Sequence, residues 1–351
     1  MWKSVGNYLR HLAKRRPKGW HPMLAVYYLT YACEFRCPYC CDGSGTPYHA
    51  LRSPVLRGSD LDRLLGRIRR GCDHLVVTGG EPTRHPELAE LLRLLPRHRF
   101  DSVVLTTIGS DLAPYLDDIA GSVRYLVFSL DTMDPAKADA WLGRGPGRHA
   151  EILANIEAAR RHPHRRYEII ISSVATPDNL PDVRDVFRFA AERGFRHAVC
   201  PVLRGVKPDP ALAGDPRFRE LFDFLISQKR RGFLINGTLA YLRGMRELER
   251  FSCRPSTLLA ISPAGDVFYP CLEIGKVAGN LLDEGDLDKL RAEGMRRHGP
   301  EPVCGNQCHS ACALGFALIL DRPWTALSEV ALMARAWLRR LLPGERALPP
   351  P

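Results

Sequence analysis

From residue 24 to about 230, short apolar or β-branched runs alternate with longer segments whose apolar positions recur at helical spacing. The short runs predict strands at 24–29, 75–78, 103–106, 124–130, 168–174 and 196–202. The segments between them predict helices over 59–70, 86–95, 111–119, 148–161, 180–193 and 215–230. Asp60, Pro86, Asp111 and Pro181 stand where helices start, and Gly71 and Gly194 where they stop. Such alternation builds a parallel sheet covered by helices. Six βα units are too few to close an eight-stranded barrel. The predicted fold is therefore α/β, a partial (β/α)6 barrel, with its chemistry at the C-terminal ends of the strands.

Beyond residue 230 the pattern changes. The stretch 251–312 is interrupted by Gly, Pro and Cys, and TLLAISPAGDVFYPC reads as a hairpin turning at Pro263-Ala264-Gly265-Asp266. A last helix is predicted over 324–342, with Leu327, Val330, Ala334, Leu338 and Leu341 on one face. The expected organisation is a basic extension (1–22), the partial barrel (23–232), a small cysteine-rich unit (233–321) and an amphipathic tail (322–351).

Composition changes this picture little: 45% hydrophobic and 25% charged residues describe an ordinary globular chain. No apolar run approaches the length of a membrane span, and no secretory signal precedes the first strand, so the expected location is cytoplasmic. The charge of +11 sits at the ends. Residues 1–20 hold six Lys or Arg and no acid, and Arg335, Arg339, Arg340 and Arg346 face only Glu345 in the tail. A basic groove for nucleic acid is not expected. The eleven cysteines concentrate in two groups, and in a reducing compartment grouped thiols point to metal rather than disulfides.

Cys33, Cys37 and Cys40 follow the first strand in CEFRCPYC. Three thiolates at this spacing hold three irons of a [4Fe–4S] cube and leave the fourth iron open, whereas a structural zinc asks for four ligands. Cys41, adjacent to Cys40, points elsewhere. At the end of the second strand, TGGEP places Gly79, Gly80, Glu81 and Pro82 where two glycines admit close backbone approach and a carboxylate accepts from an ammonium. The triplet with Tyr39 before its last cysteine, followed by GGEP, TTIG at 106–109 and FSLD at 128–131, resembles the radical S-adenosylmethionine (radical SAM) superfamily over roughly residues 24–203. The resemblance implies a one-iron-open [4Fe–4S] cluster, SAM as cofactor and a 5′-deoxyadenosyl radical that takes hydrogen from a substrate carbon. It further implies that the Glu81 segment meets SAM's amino group, with Ser129, Asp131 and Arg144 as further contacts. Ile108 stands where the family often has Asn, which removes a polar contact from the third strand end.

Cys253 and Cys271 flank the hairpin with 17 residues between them, and Cys304, Cys308 and Cys312 follow. This arrangement is similar to the SPASM/Twitch extension of radical SAM enzymes and implies an auxiliary [4Fe–4S] cluster. The shorter Twitch type fits five cysteines better than the full SPASM set. The expected ligands are Cys253, Cys271, Cys304 and Cys308, with Cys312 as an alternative ligand or a free thiol. If the segment is helical, Cys304, Cys308 and Cys312 share one face. Zinc on four of these thiols is the competing reading. Cys72 and Cys200 read as core residues, Cys200 also as a hydrogen-atom donor, and His309 as a surface or capping residue.

Only 32 residues precede Cys33, little room for a leader-peptide recognition domain. The expectation is therefore an oxidoreductase for a small molecule, carbohydrate-like or lipid-linked, acting by dehydrogenation or epimerisation. A flavodoxin or ferredoxin would be its one-electron donor. A peptide-modifying maturase is the alternative, and a non-catalytic iron–sulfur or zinc module the reading from another class. Finally, Trp2, Val5, Leu9 and Leu12 line one helical face beside basic residues, and Trp324, Leu327, Trp337, Leu338 and Leu341 repeat the theme. Two readings stand: both faces pack on the barrel, or both rest on an anionic membrane.

Overall fold

The computed structural model describes residues 2–14, 18–301, 308–325, 328–332 and 334. The six predicted strands form, each within a residue or two: β1 (Leu24–Thr30), β2 (His74–Gly79), β3 (Ser102–Thr107), β4 (Tyr125–Ser129), β5 (Glu168–Ala175) and β6 (Arg196–Pro201). They pair in parallel, in sequence order. A two-residue ladder, β7 (Leu203–Arg204) and β8 (Lys207–Pro208), lies apart. The hairpin strands β9 (Leu258–Ile261) and β10 (Asp266–Tyr269) turn where the sequence predicts, and β11 (Lys276–Asn280) follows.

Helix α1 (Trp2–Ala13) precedes the sheet. The barrel helices are α2 (Gly58–Gly71), α3 (Leu88–His98), α4 (Leu116–Ser122), α5 (Pro135–Leu142), α6 (Arg148–Arg161), α7 (Leu180–Glu192), α8 (Pro210–Ala213) and α9 (Pro216–Arg230). After them come α10 (Leu239–Arg246), α11 (Leu281–Glu284), α12 (Leu287–His298) and α13 (Ala311–Asp321). Two predicted starts move: α3 begins at Leu88, after a turn at residues 86 and 87, and the 3-10 turn Ala113–Tyr115 takes up the start assigned to α4. Helix α5 was not predicted, although Asp134 before Pro135 is a cap signal. The Asp134 carboxylate accepts from the Ala136 and Lys137 amides. Of the predicted tail helix, residues 328–332 and 334 are helical, Trp324 and Thr325 are described ahead of them, and residues 326, 327, 333 and 335–342 lie outside the described residues.

Alternate strand residues serve two environments, as the pleat dictates. Leu75, Val77, Val103, Leu105, Leu126 and Phe128 are buried in one core with Leu61, Leu64, Ile68 and Leu91 of the helices. Thr78, Thr106 and Ser129 alternate with them and line a cavity at the C-terminal ends. Full burial of a side chain such as Phe128 is worth about 1.5–3 kcal/mol.

The sequence sets residues 233–321 apart, yet the hairpin joins the barrel's own sheet. Strand β9 pairs parallel to β1, Leu24 opposite Leu258 and Tyr27 opposite Ile261, giving the order β11-β10-β9-β1-β2-β3-β4-β5-β6. The reason is the edge of β1, which an incomplete barrel leaves unpaired. Trp20, 4% exposed, secures the junction through its indole N–H, which donates to the Leu258 carbonyl at 2.8 Å. At the opposite side α7, α9, α10 and α13 share a second core around Phe187, Phe222, Leu242 and Leu314. Among the described residues no helix is long and apolar enough to cross a membrane.

Candidate active site

The cysteine loop leaves β1 at Thr30 and is held against the end of β2. The Gly80 amide donates to the Thr30 carbonyl at 2.6 Å and the Glu81 amide to the Ala32 carbonyl at 2.9 Å. A Cβ on Gly79, whose φ is +140°, would lie 2.2 Å from the Thr30 oxygen, and one on Gly80 2.3 Å from the Ala32 oxygen. The glycine pair therefore admits the backbone of the cysteine loop, where the sequence reading had it admit a ligand. Cys33, Cys37, Tyr39 and Cys40 then meet Gly79, Gly80, Glu81, Ser129 and Asp131 around one cavity of about 200 Å³. Pro82 is buried behind Glu81, in the 3-10 turn. Burial pushes the Cys33 thiol up to about 11 and the Cys40 thiol up to about 12, and Cys37 is raised further. Thiols so shielded give up their protons to a strongly electron-withdrawing centre, and metal binding supplies one.

Glu81 is 1% exposed. The Thr107 hydroxyl donates to its Oε1 at 2.6 Å and the Ile108 amide to its Oε2 at 2.8 Å, so the carboxylate straps the end of β3 to β2. The polar contact that Ile108 was expected to cost is supplied by Thr107 beside it. Burial raises the Glu81 carboxyl to about 7. Asp131 is likewise raised to about 7 by burial, while the Val174 amide, donating to Oδ1 at 2.7 Å, favours its charge. Its other oxygen accepts from the Tyr39 hydroxyl, which ties the cysteine loop to the end of β4. Tyr39 packs edge-on against Trp141 at 6.0 Å. Arg144 is exposed and absent from the cavity wall.

Thr107 entered the sequence reading only within TTIG, and the wall residues Trp141 and His149 escaped it. His149 is 3% exposed, and its Nε2 has no hydrogen-bond partner. A buried, unsatisfied ring nitrogen on a cavity wall is a position a polar ligand would complete.

The second cysteine group is partly assembled. Cys253, Cys271 and Cys308 line one small apolar pocket with Pro270, Ile274 and Ala313. Cys304 lies outside the described residues. Cys308 precedes α13, whose N-cap is Ser310, so Cys308 and Cys312 do not share a helix face. Cys312, in the first turn of α13, is outside that pocket's wall. It lies within electrostatic reach of Cys200, itself in reach of Asp131, and of Glu273 beside Cys271. Burial raises Cys200 to about 12 and Cys312 to about 11. His309 is 2% exposed, with its Nε2 2.9 Å from the Glu249 carbonyl, which corrects its reading as a surface residue. The two cysteine regions also touch: a Cβ on Gly43 would lie 1.8 Å from the Glu273 carbonyl.

Among the described residues no three His, Cys, Asp or Glu side chains converge as one metal ion requires. A zinc ion draws its sulfurs to about 2.3 Å from a single centre, whereas a cube spreads its ligands over separate corners.

Fold and cavity together are those of a partial α/β barrel with a thiol-lined cavity at its strand ends. Comparison with known proteins agrees. Residues 27–190 match the model of the Radical SAM superfamily. The chain is 32% identical over 193 residues to GTP 3′,8-cyclase of Rhizobium leguminosarum bv. trifolii (strain WSM2304), covering 50% of this chain and 53% of that protein. It is 37% identical over 141 residues to GTP 3′,8-cyclase of Rhodopseudomonas palustris (strain ATCC BAA-98 / CGA009), covering 38% and 39%. The chain thus spans about half the length of the first of these relatives and less of the second. Among solved structures, Streptococcus suis SuiB bound to precursor peptide SuiA has a TM-score of 0.61 at 19% identity, over 82% of this chain and 67% of that one. Native anSMEcpe with bound AdoMet has 0.60 at 15%, over 90% and 100%. Residues 27–190 of this chain carry the radical SAM domain, and members of that superfamily use SAM and a [4Fe–4S] cluster.

Proposed function

We propose that Cys33, Cys37 and Cys40 hold the [4Fe–4S] cluster of this radical SAM enzyme, with SAM in the adjoining cavity. A second [4Fe–4S] cluster is held by Cys253, Cys271, Cys308 and one of Cys304 and Cys312, and the substrate is a small molecule lying between the two. The observation that carries this reading is the convergence of three cysteine thiols, the Glu81 and Asp131 carboxyls and the orphaned His149 Nε2 on one cavity. When bound and reduced, cluster and SAM supply a radical that removes a hydrogen atom from the substrate.

The chain's own part is positioning and exclusion. Glu81 uses its strap bonds to hold the ends of β2 and β3 in register and keeps acceptor capacity for SAM's ammonium. Asp131 and the Tyr39 hydroxyl fix the cysteine loop, and Trp141 with Tyr39 keeps water from the cavity. Ser129 faces the same space and suits a hydroxyl or carboxylate. Arg144 would reach SAM only through a rearrangement of its exposed turn.

A small substrate is supported by the relatives' name, which denotes a nucleotide, and by the modest cavity. The half-buried series Asp131, Cys200, Cys312 and Glu273, each within electrostatic reach of the next, leads from the first site toward the second. That series favours a net oxidation, with Cys200 or Cys312 as the alternative thiol that returns a hydrogen atom and so epimerises. A carbohydrate-like or lipid-linked molecule suits either outcome, and a flavodoxin or ferredoxin would deliver the electron.

Metal analysis tests the reading. Anaerobically reconstituted chain is expected to hold about eight irons and eight sulfides. Cys271→Ala should keep about four with SAM cleavage intact, and Cys37→Ala about four with cleavage lost. Stoichiometric zinc lost on Cys271→Ala would overturn the auxiliary cluster.

A further inference from the structure

Helix α1 sits on the protein the wrong way round for an ordinary amphipathic helix. Its buried positions are Asn7, 6% exposed, and His11, 0% exposed. Its aliphatic positions Val5, Leu9 and Leu12, one per turn, are 43%, 56% and 38% exposed. Polar pins hold it in place. Asn7 Nδ2 donates to the Pro22 carbonyl at 2.7 Å, His11 Nε2 lies 2.9 Å from the His21 carbonyl, and the Ser4 amide donates to Asp73 Oδ2 at 2.9 Å. The reading in which α1 packs its apolar face on the barrel is therefore corrected.

Around the outward stripe the charge is of one sign. Lys3, Arg10 and Lys14 of the α1 region are exposed, Arg70 lies exposed where Lys3 Nζ meets its carbonyl at 2.8 Å, and no acid occurs in residues 1–20. The end of α13 is tied to α1 from behind. Arg254 donates to the His11 carbonyl at 2.6 Å and pairs with Asp321 at 2.5 Å, three residues before Trp324, which is 65% exposed. An aliphatic stripe in a basic surround is the make-up of a helix that lies in a lipid interface.

We infer that the outward face of α1 docks this enzyme on an anionic membrane surface. Val5, Leu9 and Leu12 enter the acyl boundary while Lys3, Arg10 and Lys14 meet lipid phosphates. The site bears on where the enzyme works, independently of its radical chemistry, and it would bring the barrel to a lipid-borne pool of substrate.

The test is co-sedimentation of the full reconstituted chain with phosphatidylcholine vesicles and with vesicles that also contain phosphatidylglycerol. Binding is expected to the second only, weakening with added salt. Arg10→Gln and Lys14→Gln should each lower the partition coefficient about fivefold. Leu9→Glu should lower it by about tenfold or more, while SAM cleavage and the unfolding midpoint stay at wild-type values, because Leu9 touches neither core nor cavity. Wild-type protein remaining in the supernatant with anionic vesicles, or Leu9→Glu sedimenting as wild type does, would overturn the inference. So would light scattering that finds a dimer abolished by Leu9→Glu, since a second copy would then be the occupant.

Discussion

Replacing Glu81 with glutamine separates the two roles given to this side chain. The carboxyl is 1% exposed, and burial moves it from 4.5 to about 7, a penalty of roughly 3 kcal/mol on the ionised form. The folded chain thus keeps a proton that the unfolded chain releases between pH 4.5 and 7, and this group's contribution to stability falls as pH rises through that window. Glutamine has the same shape and no charge. Its oxygen can accept from the Ile108 amide, and its NH2 can donate to the Thr107 oxygen once that hydroxyl turns. The variant should therefore unfold at or above the wild-type temperature at pH 8, with the difference shrinking toward pH 5. What it loses is the acceptor charge facing SAM's ammonium, a bond worth about 1.5–3 kcal/mol, which predicts roughly 10- to 150-fold weaker binding. Equilibrium dialysis of labelled SAM against anaerobically reconstituted protein, with thermal melts at both pH values, reads both quantities. Wild-type SAM affinity in the folded variant would refute the ammonium contact, and a large drop in midpoint at pH 8 would refute the argument from burial.

Two further substitutions probe the neighbourhood. Gly43→Ala forces a Cβ to within 1.8 Å of the Glu273 carbonyl, and overpacking of that kind costs about 1–3 kcal/mol; Gly214→Ala, with nothing within 4 Å, should leave the midpoint nearly unchanged, and equal effects of the two would remove the contact between the cysteine regions. His149→Phe deletes the unpartnered Nε2 and is expected to weaken SAM affinity by about fivefold, the value of one ordinary hydrogen bond, without lowering the midpoint; unchanged affinity would leave His149 as a wall residue only.

The strands were legible because each combines β-branched residues with a period of two, and the pleat turned that period directly into a core side and a cavity side. The cysteine triplet and GGEP were legible as motifs, but what the glycines do was not. Their spacing says that a backbone approaches, and only the fold says that it is the backbone of Thr30 to Ala32. His149 was invisible for a related reason: one polar residue in a first helical turn has no periodicity to mark it. A signal did exist at α13, where Ser310 before an apolar run is an N-cap and places Cys308 outside the helix. The orientation of α1 lay beyond any pattern argument, since amphipathicity reveals an apolar face without saying which way it turns. Pairing of β9 with β1 likewise depends on an open sheet edge that exists only once the six-unit barrel has formed.

The central claim is that the cavity at the strand ends of β1 to β4 cleaves SAM on a cluster held by Cys33, Cys37 and Cys40. The direct measurement is 5′-deoxyadenosine formed from SAM by the reconstituted chain with dithionite under strict anaerobiosis, beside the Cys33→Ala, Cys37→Ala and Cys40→Ala variants. The account predicts 5′-deoxyadenosine and methionine in equal amounts from the wild-type chain and neither from the three variants. Full cluster occupancy with no 5′-deoxyadenosine, or cleavage that survives loss of any one of the three thiols, would contradict it.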